Sequence, residues 1–347
     1  MFHHEGVLLP PDRPTLTEVA VHAGVSIASA SRALTGGSAS PAMVARVRQA
    51  ADELGYVVDA TARSLKVGRT EQLAFAVADL GNPVYVAMMR AIEGVVSAAG
   101  FRLVVSSTGS RPDDEIEIIR GLNRGYADGL IVSPLRITDE VVAELRQARV
   151  PIVVIGTLPN GVELDNVRAN SSRGVGLAVA HLAEGGRRAI GFLNGPVDTV
   201  PGRARERGFH QAMRTLRRKV ATAQSVTAAD FTHDAGEKAA STLLTHYEPD
   251  AIVCANDLLA VGAMRVLRAR GLKVPEDVAV VGMDDTDLAE LAVPGLTSVS
   301  LGSEERGRIA ATMLLDRLGD PHRPASRVTV QPKLVLRASS APRRPAR

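Results

Sequence analysis

Cys254 is the only cysteine in 347 residues, which excludes an internal disulfide framework and fits a reducing compartment. Residues 1–13 hold no basic segment followed by an apolar run, so they do not read as a signal peptide. No uninterrupted apolar stretch approaches the length of a membrane span. The expected setting is soluble and cytoplasmic. Catalytic signatures are missing too: there is no Gly-x-Gly-x-x-Gly, P-loop, His-Glu-x-x-His or Cys-x-x-Cys. Residues 24–28 (Gly-Val-Ser-Ile-Ala) have the outline of a nucleophile elbow, but a helix precedes them where a strand is needed. Neither an enzyme nor a cofactor- or metal-dependent protein is expected.

What is present is enough apolar residue, 45% of the chain, for a small domain plus a large one with a sizeable core. The pI of about 9.2 points to nucleic acid but needs discounting. Four arginines and no acid lie from Arg337 onward, leaving residues 1–336 at a net charge of −1. Residues 13–69 carry seven Lys/Arg against four Asp/Glu, a modest phosphate-seeking excess that matters mainly when doubled in a dimer.

Residues 15–36 read as two short helices joined by a tight turn. Thr15 and Glu18 have capping-box spacing, and Val19, Ala20 and Ala23 form a small apolar face. Gly24 takes the turn, and Ser26 caps a second helix over about 27–33. Val25, Ala30 and Leu34 bury that helix, leaving Ile27, Ala28, Ser29, Ser31 and Arg32 on its start and outer face. Such a unit lays its second helix in the DNA major groove. Ser40-Pro41 starts a third helix running to about Leu54, with Met43, Val44, Val47, Ala51 and Leu54 buried and Gly55 ending it.

From Leu73 onward the pattern alternates strand and helix. Apolar runs stand at 73–78, 102–106, 129–133, 151–155, 189–194, 251–255 and 278–282, with amphipathic stretches such as 86–99, 172–184, 202–218, 235–246 and 257–270 between them. That alternation predicts parallel sheets covered on both faces. It is too long for one comfortable sheet.

Ala-Gly-Val-Ser, then Ser-Arg-Ala-Leu-Thr-Gly, then Val-Arg-Gln-Ala-Ala-Asp-Glu-Leu-Gly-Tyr ending at Tyr56, resembles the DNA-binding headpiece of the LacI/GalR family of bacterial transcription regulators. The remainder is similar to that family's periplasmic-binding-protein-like core. The resemblance implies a small all-α headpiece followed by an α/β core of two parallel-sheet lobes, with chain crossings near 165–170, 297–302 and 325–330. The boundaries read as a disordered lead at 1–13, a helix-turn-helix domain at 14–58, a hinge at 59–69, the core at 70–337 and a disordered basic tail at 338–347.

By resemblance, Thr15, Leu16, Ser26, Ile27, Ala28, Ser29, Ser31 and Arg32 meet the duplex from the headpiece. Ala62, Leu65 and Lys66 meet it from the hinge, where family members wedge a leucine into the minor groove and kink the DNA. The bland alternative for Leu65 is a linker residue packed on the core. In the cleft, the resemblance assigns effector contacts to Arg203, Asn256 and Asp284, a stacking role to Phe231, and pocket-lining places to Tyr85, Ser133 and Thr199. Other readings stay open: Asp257 and Asp285 also fit helix caps, Arg203, Arg205 and Arg207 also fit a solvated face, and Phe231 also fits plain core. Gly156 and Leu301 depart from the family, standing where several members carry a sugar-binding aspartate and many a glutamine. Both are expected in the N-terminal lobe, and their loss argues against dense hydroxyl contacts there.

The leading reading is an effector-responsive repressor that binds a pseudo-palindromic operator as a homodimer, its effector a sugar or related metabolite. The alternatives are a ligand-binding receptor or an effector-independent DNA-binding protein on the same scaffold. The dimer surface is expected around 86–98 and 257–270. The C-terminal Ser-Ser-Ala-Pro-Arg-Arg-Pro-Ala-Arg has no apolar period, so no tetramer-forming coiled coil is expected.

Overall fold

The computed structural model describes residues 14–57, 69–109, 111–122 and 125–342. The chain divides into two compact units, Met1–Thr70 and Glu71–Arg347. The lead at 1–13, the hinge positions Ala62, Leu65 and Lys66, and residues 343–347 lie outside the described residues.

The first unit holds α1 (Leu16–His22), α2 (Ile27–Thr35) and α3 (Pro41–Leu54). Each start is fixed by a side-chain cap. Thr15 and Glu18 close a reciprocal capping box, Ser26 accepts the Ser29 N–H, and Ser40 accepts the Met43 N–H ahead of Pro41. Gly24, at φ +62°, makes the turn between α1 and α2 in a conformation that a Cβ disfavours. The core is built of small residues: Val19, Ala20, Ala23, Ala30, Ala33, Val47, Ala50 and Ala51, with Leu16, Val25, Leu34, Met43, Val44 and Leu54 partly buried against it. His22 reaches Glu53 at 2.7 Å and ties α1 to α3.

In the second unit, one sheet comprises β1 (Gln72–Val77), β2 (Arg102–Ser107), β3 (Gly129–Ser133), β4 (Ile152–Ile155), β5 (Asp165–Ala169) and β11 (Arg327–Val330). Its order is β11-β5-β4-β3-β1-β2 and every pairing is parallel. Strand alternation splits its side chains between two cores. Leu73, Phe75 and Val77 face one way, Ala74 and Ala76 the other. The first face is covered by α4 (Pro83–Ala98) and α12 (Ser303–Gly319), the second by α5 (Pro112–Leu122) and α6 (Asp139–Gln147).

The other sheet runs β12-β10-β9-β8-β6-β7, from β6 (Ala189–Asn194), β7 (Thr222–Thr227), β8 (Ala251–Cys254), β9 (Ala279–Met283), β10 (Thr297–Ser300) and β12 (Lys333–Val335). Only β12 is antiparallel. Around it lie α7 (Ser171–Glu184), α8 (Val200–Leu216), α9 (His233–His246), α10 (Asp257–Ala269) and the short α11 (Asp287–Leu291). The chain passes between lobes after Ala169, between Ser300 and Ser303, and between Val330 and Lys333, each at or just past the end of its expected window.

Two expectations need correction. Residues 338–342 do not continue a disordered tail: Ala338–Ser340 form a 3-10 turn with both serines buried. The Ser339 hydroxyl donates to the Val280 carbonyl and accepts the Thr297 N–H, so this segment completes hydrogen bonding beside β9 and β10. Leu301 packs in the core of the second lobe, not the first, because it directly follows β10 before the chain crosses back. Among the described residues no helix is long and apolar enough to cross a membrane, and no cluster of three metal-ligating side chains occurs.

Helices α9 and α10 approach through paired glycines. A Cβ on Gly262 would lie 2.2 Å from the His233 carbonyl oxygen, and one on Gly236 would lie 2.6 Å from that of Leu259. Backbone cannot yield as a flexible side chain does. Gly262→Ala is therefore expected to destabilise the core by about 1–3 kcal/mol, read as a lower denaturant midpoint. An unchanged midpoint would mean that the two helices are free to separate.

Candidate functional site

In the first unit, the start of α2 presents an apolar pair to solvent. Ile27 is 50% exposed, and Ala28 is exposed beside it. Next to them the Arg32 guanidinium donates to the Ser29 hydroxyl at 3.2 Å, and the Ser26 and Ser29 hydroxyls are 2.9 Å apart. Thr15 is exposed and Leu16 half-buried on the core. Ser31 departs from its expected outward place: it is 9% exposed, because one position after Ala30 and three before Leu34 sets it on the flank of the buried stripe.

In the second unit, a cavity of about 110 Å³ opens between the two sheets. Tyr85 and Ser133 line it from the first lobe, and Phe231, Asn256 and Asp284 line it from the second. Burial pushes the Tyr85 phenol up to about 12, so it stays a neutral hydrogen-bonding group facing Ser133. Gly156, at φ +147°, and Leu301 also line the cavity.

Arg203 is not among the lining residues. It is exposed, while Arg205, 6% exposed, lines the cavity in its place. On α8, Pro201, Ala204 and Arg205 share the face toward the cavity, and two residues at 100° per step put Arg203 on the opposite side. The Arg205 guanidinium meets Asp284 at 3.3 Å and stands 5.7 Å from the centre of the Phe231 ring, within cation–π range. Thr199 is also displaced from its expected role. Its side chain is wholly buried, donating to the Pro196 carbonyl and accepting the Gly202 N–H as the cap of α8.

Several neighbours hold this arrangement in place. Asn256 caps α10 by accepting the Leu259 N–H, and its amide donates to the Phe231 carbonyl. Gly195 leaves room for the Phe231 ring, which a Cβ would meet at 2.2 Å. Asp284 and Asp285 both adopt positive φ, 102° and 53°, a strained turn off the end of β9. Neither Asp257 nor Asp285 supplies a helix cap. Asp257 accepts from Ser298 and twice from Thr286, and Asp285 pairs with Arg337 at 2.9 Å.

A residue the sequence reading missed is Arg306, which lines the cavity at 8% exposure from the first turn of α12. Burial lowers its guanidinium to about 10, opposed by Asp284, so it remains charged at neutrality. Burial likewise raises the Asp284 carboxyl, while Arg205 and Arg306 pull it back down. Only its spacing from the crossing at 300–303 marks Arg306, and that crossing is a tertiary fact.

The lobes meet in a closed arrangement beside the cavity. The Val200 N–H donates across to the Leu135 carbonyl at 2.8 Å, and Arg136 pairs with Asp198 at 2.7 Å. Behind Leu135, its N–H donates to the buried Glu115 carboxylate at 3.3 Å. Burial pushes Glu115 up to about 7.

These geometries make two predictions. Arg205→Ala removes the hydrogen-bonded partner of buried Asp284, leaving Arg306 as its nearest opposite charge, and should cost about 1–3 kcal/mol of stability, whereas Arg203→Ala should change it by less than about 0.5 kcal/mol. Equal losses in urea unfolding would refute the assignment of faces on α8. For Glu115, the folded state holds its proton above the pH at which the unfolded chain releases it, so its contribution to stability falls as pH rises from about 4.5 toward 7. Glu115→Gln should therefore gain stability relative to the parent chain across that window, and a pH-independent difference would contradict the burial effect.

Known proteins share this architecture. A match to "Bacterial regulatory proteins, lacI family" spans residues 15–59, and one to "Periplasmic binding protein-like domain" spans residues 179–340. The HTH-type transcriptional regulator CelR of Thermobifida fusca is 35% identical, over 94% of this chain and 98% of its own length. The ribose operon repressor of Escherichia coli strain K12 is 31% identical, over 94% and 99%. A solved transcriptional regulator CelR–cellobiose complex superposes with a TM-score of 0.70 at 33% identity, covering 94% of this chain and all of that one. With a capped helix-turn-helix unit followed by a two-lobed α/β core, and relatives matched over nearly their whole length, the chain belongs to the lacI family of bacterial regulatory proteins.

Proposed function

We propose that this protein is a sequence-specific DNA-binding repressor controlled by a small molecule held between the two lobes of its core. One observation carries the reading: a single chain joins a helix-turn-helix unit with an exposed recognition-helix start to a core whose two lobes enclose a cavity mouth lined by polar and aromatic side chains. The relatives are named as a transcriptional regulator and an operon repressor, and the CelR structure holds cellobiose. The cavity lining has no histidine or cysteine to serve as base or thiol nucleophile, which supports a binding site over a catalytic one. The protein works in the cytoplasm as a homodimer, where its operator is.

Ile27 and Ala28 read bases by apolar contact with thymine methyl groups, since neither can form a bidentate bond to guanine or adenine. Arg32, Ser29, Ser26 and Thr15 supply the polar contacts, largely to phosphates. Leu65, with Ala62 and Lys66, acts at the centre of the operator as the minor-groove wedge. In the core, Arg205 and Asp284 bond the effector's polar groups, Phe231 covers a ring face, and Tyr85 and Ser133 complete the contacts. The effector acts through its different affinity for the DNA-bound and free forms, a coupling of about 1–3 kcal/mol that is reciprocal.

Selection of bound duplexes from a random pool tests the DNA half of the proposal. The intact chain should recover two half-sites related by two-fold symmetry, and Ile27→Gln with Ala28→Arg should change the recovered sequence. Recovery of one asymmetric half-site, or of the same sequence by both proteins, would overturn the assignment.

A further inference from the structure

Three charged side chains line the cavity, Arg205, Arg306 and Asp284, and they are 6, 8 and 6% exposed. The one carboxylate is matched to Arg205 by a single 3.3 Å contact, while Arg306 donates to the neutral hydroxyl of Ser303. The Nε atoms of both arginines are buried without an acceptor among the described residues. The lining therefore carries one excess positive charge with Asp284 ionised, and two with Asp284 protonated.

No nearby acid cancels that excess. Asp285 is paired with Arg337, and the Glu115 carboxylate is turned to the Leu135 N–H. Asp257 does not line the cavity, and both its oxygens are occupied by Ser298 and Thr286. Burial and Asp284 raise its carboxyl to about 7, so it is not a full counter-charge at neutral pH. Met88, Ile155, Pro201 and Leu301 bring apolar surface to the lining, which strengthens attraction between the arginines and any oxyanion admitted. A buried guanidinium without a carboxylate partner is costly to keep, and an oxyanion in the cavity supplies one to Arg306.

We propose that the effector is a monosaccharide-sized molecule bearing a carboxylate or phosphate. Its oxyanion pairs with the Arg306 and Arg205 guanidinium groups where they line the cavity, while Asp284 accepts a hydroxyl and Phe231 covers the ring. The proposal rests on reading the cleft as the effector site and adds the ligand's charge to it. It also accounts for Gly156 and Leu301, which bring no hydroxyl-bonding side chains to a cavity recognised mainly through charge.

The test is calorimetric titration of the full chain, in buffer free of competing oxyanions, with matched sets: glucose, glucuronate and glucose 6-phosphate; ribose, ribonate and ribose 5-phosphate. Inorganic phosphate is the minimal probe. An acid or phosphate should bind at least about tenfold more tightly than its neutral parent, and the carboxylate and phosphate arms tell which oxyanion is used. Arg306→Leu should remove that preference and Arg306→Lys should retain it. If Arg306→Leu loses its cooperative unfolding transition, the matched sets on the parent chain and on Arg306→Lys decide. A neutral sugar that binds as tightly as its charged partner, or a preference that survives in Arg306→Leu, overturns the charge assignment but leaves the effector reading intact. Binding by no probe, with an operator complex that no probe disturbs, overturns both.

Discussion

A buried guanidinium is costly without a fixed acceptor, and much of the second unit's local structure supplies one to Arg205. The depth of the arginine on α8 is set by Thr199, which caps the helix, and by the Asn194 amide, which donates to the Gly202 carbonyl at 3.0 Å. Gly202 itself has no room for a side chain, since a Cβ would fall on the Pro196 carbonyl oxygen. The carboxylate is delivered from the other direction. Asp284 leaves β9 with its N–H on the Val299 carbonyl and its backbone in a region that few non-glycine residues occupy. Strand ends, caps and strained dihedrals thus converge on one ion pair, and the main chain that carries the nearby aromatic ring is tied to Asn256 through the Phe231 carbonyl.

The legible parts of the fold are those where burial has a simple period. The runs at 73–78, 102–106, 129–133, 151–155, 189–194, 251–255 and 278–282 coincide with strands because these are interior strands or carry β-branched residues on both faces. β7 is an edge strand, largely exposed, and its Thr-Ala-Gln-Ser-Val-Thr sequence has no apolar period to betray it. β5 hides differently. Asp165 and Asn166 are buried there because Arg317 from α12 pairs with Asp165 and the Asn166 amide donates to the Val154 and Gly156 carbonyls. Such satisfaction comes from distant residues and leaves no local trace in the sequence.

The site was legible in its strand ends and less so in its helices. Asp284 and Asn256 follow strands whose positions are clear in the sequence, so their places between the lobes could be inferred, whereas Phe231 follows the unmarked β7 and is reached only through the family resemblance. Motif resemblance does not separate Arg203 from Arg205, because a two-residue shift is invisible on a helix that carries arginines at 203, 205 and 207. The structure resolves it by helical phase. In the first unit, capping chemistry read from Thr15, Glu18, Ser26 and Ser40 located all three helix starts, since each cap is a local interaction. Ser31 was misplaced for the opposite reason: a polar residue on the border of an apolar stripe is assigned by its packing, not its type.

The hydrogen bond from Val200 to Leu135 has a further meaning when its donor is considered as part of α8. Val200 is the first residue of that helix, so its N–H has no acceptor within the helix and must look elsewhere. It finds one on the opposite lobe. The first N–H of the helix is therefore satisfied across the cleft, and opening the lobes hands that donor back to solvent. Because the tie runs from main chain to main chain, side-chain replacement at either residue leaves donor and acceptor in place. When the lobes part, that N–H is left to a water or to an oxygen of whatever molecule lies between them, so the closed form carries a backbone bond that the open form must replace.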